Sequence, residues 1–326
     1  MIIARNINKT YKTKVKKGLF KREKAVVKAV KDLNIKIEKG QIIGLLGING
    51  AGKTTTIKML ATLLEPTSGE ITVDGQDIVK DAMKIKGKIN MIAGGERMIY
   101  WRLTAKENLW YYGQLYGVAN KILKERIERS LKIVGLEDKQ HIPVERFSKG
   151  MKQRLQIARG LINDPDYLFM DEPTLGLDAP IAKEIRSYVK ALAKQENKGI
   201  LLTSHYIHEV EELCDYIYIL HNGQVIHQGT ADELSQSTFE TKKTVLELGV
   251  LDEGVPTTID AFTKANNIKI HGSSLLTNRI VFESTNDITD KVVALIHSEQ
   301  LPLVKLYVDE PRLEDTILEI SRRVTS

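Results

Sequence analysis

The chain has 326 residues, long enough for one large domain and a small one, and 42% hydrophobic with 28% charged residues is an ordinary globular composition. No apolar run reaches about 18 residues, which excludes a membrane-spanning helix; Met1–Arg5 is read as lacking a signal-peptide layout, and the single cysteine, Cys214, excludes an internal disulfide and points to a reducing compartment. The net charge of +6 is concentrated, because Lys12, Lys14, Lys16, Lys17, Lys21, Arg22, Lys24, Lys28 and Lys31 crowd one stretch opposed only by Glu23, a pattern open to a solvated loop, a nucleic-acid contact or an anionic lipid contact.

From about residue 40 to residue 230, short apolar runs alternate with helical patterns, which predicts an α/β domain with a mostly parallel sheet. Ile42–Leu46 reads as a buried strand, and Thr54 onward, through Ile57, Met59, Leu60, Leu63 and Leu64, as a helix stopping before Pro66. Glu70–Gly75 reads as a strand entering a turn. Residues 104–163 carry three helical patterns and no strand. The first opens on the capping-box spacing of Thr104 and Glu107 and ends near Gly117, the second runs from Ile122 to a stop at Gly135, and Ser148 caps the third, which Asp164-Pro165 ends. Further strands are expected at Tyr167–Met170, Ile200–Thr203 and Tyr216–Leu220, and His221–Gln224 has hairpin-turn chemistry leading into Val225–His227. The polar stretch Gln236–Thr238 suggests a division into residues 1–235 and 236–326. In the second part, strands at Thr244–Leu248, Ile268–Ile270, Arg279–Glu283 and Leu303–Val308 interleave with helices at Thr258–Ala265, Thr289–Ser298 and Leu313–Arg323. That order predicts a small C-terminal α+β domain of ferredoxin-like type.

The chemistry sits in a few segments. Gly47-Ile48-Asn49-Gly50-Ala51-Gly52-Lys53-Thr54, followed by Thr55, matches the phosphate-binding loop G-x-x-x-x-G-K-[ST] at every fixed position, with an apolar strand before it and a helix after. Glycines at 47, 50 and 52 let successive N–H groups turn toward phosphates, and the helix that follows adds its positive end. Lys53 supplies a cation for the β- and γ-phosphates, and the Thr54 hydroxyl is a hard oxygen ligand for Mg²⁺. Tyr167–Glu172 is an apolar strand ending in two carboxylates, at the strand edge where such loops lie. Asp171 suits the Mg²⁺ hydration shell, and Glu172 can take the proton of an attacking water.

Between these motifs, Phe147-Ser148-Lys149-Gly150-Met151 opens the third helix. The order of phosphate loop, this segment, the Asp-Glu strand and a later His205 resembles the nucleotide-binding domain of ABC ATPases, over residues 1–235. Ser148-Lys149-Gly150 takes the place of the LSGGQ signature, with Phe147, Lys149 and Met151 departing from it. The resemblance implies a P-loop NTPase fold with a helical subdomain, ATP and Mg²⁺ as ligands, and hydrolysis with Glu172, His205 and Lys53 as catalytic groups. It further implies that Tyr11 stacks on adenine, that Ser148 and Gly150 of the signature meet the nucleotide of a second subunit, and that Asp178 lies at the subunit contact beside the nucleotide. Implied partners are integral membrane permease subunits and a second ATPase subunit, preferably a second copy, on the cytoplasmic face of the membrane, with no nucleic acid. The Asp309–Glu319 tail is similar to that of drug, antibiotic and sodium exporter ATPases. Where the family places a glutamine, the chain reads Ala93-Gly94-Gly95-Glu96-Arg97, and Tyr100, Trp101 and Arg102 beyond it suit either a partner groove or core packing. The rival reading is a soluble ABC ATPase acting on nucleic acid or ribosomes.

Overall fold

Strands with no gap between apolar residues build the centre of this protein, and their loops carry the glycines and carboxylates. A computed structural model describes residues 1–17, 21–93, 99–238, 241–249, 255–270, 278–309 and 313–317. In chain order the elements are β1 (Ile2–Lys17), β2 (Lys21–Ile37), β3 (Ile42–Gly47), α1 (Lys53–Leu60), β4 (Ser68–Val73), β5 (Gln76–Asp77), α2 (Ala82–Lys86) and β6 (Ile89–Ala93). Then come α3 (Ala105–Leu115), α4 (Asn120–Ile133), α5 (Lys149–Leu161), β7 (Tyr167–Asp171), α6 (Ala179–Lys194), β8 (Gly199–Thr203), α7 (Ile207–Leu213), β9 (Tyr216–His221), β10 (Gln224–Gly229) and α8 (Ala231–Thr238). The last are β11 (Lys242–Leu248), α9 (Val255–Asn266), β12 (Lys269–Ile270), β13 (Arg279–Ser284), α10 (Thr289–Ser298) and β14 (Leu303–Asp309).

The chain divides into two compact units, Met1–Ala231 and Asp232–Ser326. In the first, a six-stranded sheet of order β10-β9-β3-β8-β7-β6 is parallel except for β10, which pairs antiparallel with β9. Buried on both faces, β8 and most of β3 and β7 read as continuous apolar runs, as a covered parallel sheet requires. A second sheet, β2-β1-β4-β5, is antiparallel. Ile7, Val30 and Leu33 of that sheet share one core with Leu45 and Phe169 of the first and with Ile57, Met59 and Leu60 of α1.

Two expectations are corrected here. The basic stretch is not a loop: β1 and β2 run as one antiparallel hairpin, with register pairs from Ile2↔Ile37 to Lys17↔Lys21. Its alternating lysines give no apolar period in the sequence, and the pairing shows only in the backbone register. The helix after the phosphate loop ends at Leu60, not Leu64, because Thr62 turns left-handed at φ 57°. The expected hairpin turn is observed, with Asn222 and Gly223 both at positive φ, the geometry of a type I′ turn.

Residues 104–163 hold α3, α4 and α5. Thr104 accepts from the Glu107 N–H while the Glu107 carboxylate accepts from the Thr104 N–H, a complete capping box. In the second unit the sheet order β12-β13-β11-β14 is antiparallel throughout, the βαββαβ arrangement of ferredoxin-like domains. Its core gathers Leu246, Ile259, Phe282, Val292 and Leu295. Of the helix expected at Leu313–Arg323, only 313–317 is described, and it is helical.

Candidate active site

Parallel pairing of β3, β8 and β7 brings the loops after Gly47, Thr203 and Asp171 to one edge of the sheet. The loop after β3 is held in place by close backbone approaches. A Cβ on Gly47 would lie 2.4 Å from the Leu220 carbonyl oxygen, and one on Gly52 would lie 2.5 Å from that of Ala29. Both glycines also sit at positive φ (149° and 104°), so no other residue fits there unstrained. The turn between β9 and β10 clips the loop from outside: Gly223 donates to the Ala51 carbonyl at 3.0 Å and accepts from Lys31 at 2.8 Å.

Lys53 is 93% buried at the first position of α1, and its ammonium donates to the carbonyls of Gly47 and Ile48. Burial pushes its pKa down, and the charges of Glu172 and Asp171 pull it part of the way back. The first turn of α1 has neither a side-chain cap nor an acidic residue, so its N–H groups lack a local carboxylate partner. Thr54 is exposed, Thr55 is partly exposed, and the Thr56 hydroxyl donates to Gly52 at 3.0 Å. Within the loop the Ala51 N–H donates to the Ile48 carbonyl at 3.1 Å, and the helix start beside the buried Lys53 has the chemistry that suits an anion.

Asp171 closes β7, and its Oδ1 accepts from the Thr203 hydroxyl at 2.6 Å. Glu172 follows in the left-handed region at φ 53°, its N–H shared between the Thr203 carbonyl (3.1 Å) and hydroxyl (3.2 Å). From that position its Oε1 lies 2.6 Å from Nε2 of His205, which is 42% exposed. Glu172 thus combines a positive φ with a contact to His205, near enough to Lys53 for their charges to interact.

The remaining expected residues lie elsewhere. Ser148 caps α5, accepting from the Met151 N–H at 3.2 Å, and Asp178 caps α6, accepting from Ile181 at 3.1 Å. These two helix starts lie side by side: a Cβ on Gly150 would reach 2.5 Å from Ile181 Cδ1, and one on Gly176 would reach 2.2 Å from Lys149 Nζ. Among the described residues, no hydrogen bond or ion pair joins Ser148 or Asp178 to the Gly47–Thr55 loop of the same chain. Tyr11 sits on the β1–β2 hairpin opposite Val27, with the Lys9 ammonium 5.7 Å from its ring centroid. The segment Gly94–Arg97 lies outside the described residues. Tyr100 and Trp101 are about half exposed, and Lys152 stacks 4.4 Å over Trp101, so core packing does not account for them.

Sequence reasoning missed Thr203, Ser204, Thr174 and Glu209. Glu209 is 3% exposed, and its Oε2 accepts from the hydroxyls of Ser204 (2.5 Å) and Thr174 (2.8 Å). The available signal was a Thr-Ser pair at the end of a buried strand, immediately before the histidine.

A family model described as ABC transporter matches residues 30–175. The ABC transporter ATP-binding protein NatA of Bacillus subtilis (strain 168) is 48% identical over 218 residues, 67% of this chain and 88% of that protein. The linearmycin resistance ATP-binding protein LnrL of the same organism is 34% identical over 323 residues, 99% of each chain. Among solved structures, a dimeric ATP-binding cassette in a post-hydrolysis state, bound to ADP and Pi, matches with a TM-score of 0.62 and 26% identity, covering 71% of this chain and 98% of that one.

Proposed function

The chain belongs to the ATP-binding subunits of ABC transporters and is an ATPase of that family, and from that premise we propose that it drives export through a site shared between two copies. One observation carries the catalytic reading: the Glu172 carboxylate, locked at positive φ, contacts His205 at the sheet edge that also holds Lys53. In this reading Gly47, Asn49, Gly50, Ala51 and Gly52 cradle the phosphates of ATP. Lys53 neutralises the β- and γ-phosphates, and Thr55 adds a donor at the start of α1. Glu172 orients and deprotonates the attacking water, and His205 fixes that carboxylate and senses the γ-phosphate.

The donor set near Thr54 and Asp171 fits a hard cation, since the Thr54 hydroxyl is exposed and Thr203 fixes one oxygen of Asp171. Mg²⁺ held by these two residues would supply charge neutralisation on the phosphate oxygens. Tyr11 is assigned to the adenine face. Ser148, Gly150 and Asp178, which make no bond to their own phosphate loop, are assigned to the nucleotide of a second copy. Similarity to a dimeric cassette supports that assignment. Two identical chains then suffice, because each carries Ser148, Glu172 and His205.

Export is supported by a 36% identical Nod factor export ATP-binding protein of Cupriavidus pinatubonensis, and a resistance role by the full-length match to the linearmycin resistance ATP-binding protein. Among the described residues, no helix is long and apolar enough to cross a membrane. In this reading, as the membership in the transporter family suggests, separate permease subunits carry the cargo through the bilayer and this chain works at the cytoplasmic face. The relatives named above give the nucleic-acid alternative no support. Glu172→Gln tests the reading: it should lower turnover about 10²–10⁴-fold, the usual worth of a general base, with ATP affinity retained. Wild-type turnover in that variant sinks it.

A further inference from the structure

Glu172 and His205 lie in separate loops, after β7 and after β8, and a 2.6 Å contact between their side chains needs the two loops held at a fixed spacing. A buried carboxylate supplies the fixing. Glu209 of α7 takes the Ser204 and Thr174 hydroxyls on a single oxygen, Oε2. Ser204 is the neighbour of His205, and Thr174 stands just beyond Glu172 across Pro173. All three side chains are buried, at 3%, 4% and 3% exposure for Glu209, Ser204 and Thr174. Ser204 also accepts from the Tyr206 N–H at 3.0 Å, which pins the backbone on the far side of His205.

The chemistry of this group is costly. Among the described residues Glu209 has no cationic partner, and its other oxygen, Oε1, is buried without a hydrogen bond. A carboxylate removed from water with two hydroxyls as its only side-chain donors is an expensive way to pack a helix against a sheet. Two charge-assisted hydrogen bonds are, however, short and directional, and suit a brace. At the other side of the same loops, Thr203 donates to Asp171 and accepts from the Glu172 N–H. The two strand ends are thus stitched once before and once after Glu172.

We infer that Glu209 is a positioning residue, which cross-braces the two loops through Ser204 and Thr174 and so sets the distance between Glu172 and His205. This rests on the reading of Glu172 and His205 as the hydrolytic pair. Glu209 makes no bond to Lys53 or to the phosphate loop, so its loss should leave nucleotide binding intact and misplace the hydrolytic pair. A displacement of about 1 Å at a reacting group costs roughly 10²-fold in rate.

The test is steady-state ATP hydrolysis by the purified full chain. Glu209→Ala should lower kcat roughly 10²-fold and leave KM for ATP within a factor of about three. Glu209→Gln, whose amide oxygen still accepts both hydroxyls, should recover a large part of that loss. The double variant Ser204→Ala/Thr174→Val removes the donors at nearly constant packing volume and should lower kcat at least as far as Glu209→Ala, since it also frees the Tyr206 N–H and strands the carboxylate. Adding Glu209→Ala to it should cost little more. A wild-type kcat in Glu209→Ala, or a loss confined to KM, overturns the inference. If Glu209→Ala does not fold, the double variant decides, and an unchanged kcat there overturns it equally. Glu172→Gln is run alongside: wild-type turnover in it rejects the hydrolytic pair itself. A dead Glu172→Gln beside a fully active Glu209→Ala rejects only the brace.

Discussion

Lys53 is a cation that folding takes out of water with no carboxylate bonded to it among the described residues. Its ammonium is turned back onto the carbonyls of its own loop, and burial holds its pKa below the ordinary lysine value despite the nearby Glu172 and Asp171. The sign of the linkage follows. A base whose folded pKa is depressed binds protons less readily when folded, so its charge opposes folding at neutral pH, and the penalty eases as pH rises through the folded value. Lys53→Ala should therefore not lower the melting temperature of the nucleotide-free protein. It should instead remove the stabilisation that ATP confers, since hydrogen bonds to charged groups are worth about 1.5–3 kcal/mol, up to roughly a hundredfold in affinity. Thermal melts with and without ATP separate the two effects. A large drop in the nucleotide-free melt would make Lys53 a structural residue.

Elements meet in this fold at turns with unusual backbone, and Asp164 shows how one is held. It lies in the left-handed region at φ 52° between α5 and β7. Its carboxylate accepts from Lys198, before β8, at 2.9 Å and lies 3.8 Å from Arg126 of α4. Burial alone would raise its pKa, but the Lys198 hydrogen bond and charge, aided by Arg126 and Arg129, hold it below the ordinary aspartate range. For a depressed carboxylate, the stability is present above the unfolded pKa and is lost as pH falls through the folded one. Asp164→Asn, which tolerates the same backbone, should melt about 1–3 °C lower at neutral pH. That gap should close in acid, below the folded pKa of Asp164, as followed by circular dichroism. A gap that persists in acid would mean that the charge does not matter.

The same scale shows what was legible in the sequence. The phosphate loop, the apolar strands and the capped helices are local patterns, so Gly47–Thr54, Tyr167–Glu172 and the Thr104–Glu107 box could be read directly. The β1–β2 hairpin could not, because alternating lysines look like a loop until their register partners are known. The helix was overrun past Leu60 because its apolar period continues while Thr62 changes hand. Glu209 was hidden for a related reason: in the run Glu209-Val210-Glu211-Glu212 it looks like one more solvated acid, and only a contact to Thr174, distant in sequence, shows it to be buried.

At the scale of the whole molecule, the feature to be explained is a complete phosphate loop in a chain whose Ser148 does not reach it. If Ser148 serves a second copy, every site combines Lys53 and Glu172 of one chain with Ser148 of the other. Two defective chains can then repair each other. A Lys53→Ala chain keeps a good Ser148, and a Ser148→Arg chain keeps a good phosphate loop. Each variant alone forms symmetric dimers in which both sites are broken. Mixed dimers contain one site with both defects and one with none. With random pairing of equal amounts, half of the dimers are mixed, and ATP turnover should rise to about a quarter of the wild-type rate when the two sites act independently. The mixture should also gain ATP-dependent dimer on gel filtration that the Lys53→Ala chain lacks by itself. A mixture that only averages its two parents would place Ser148 and Lys53 in the same chain's site, and the proposal of a shared site would fall while the phosphate loop kept its role.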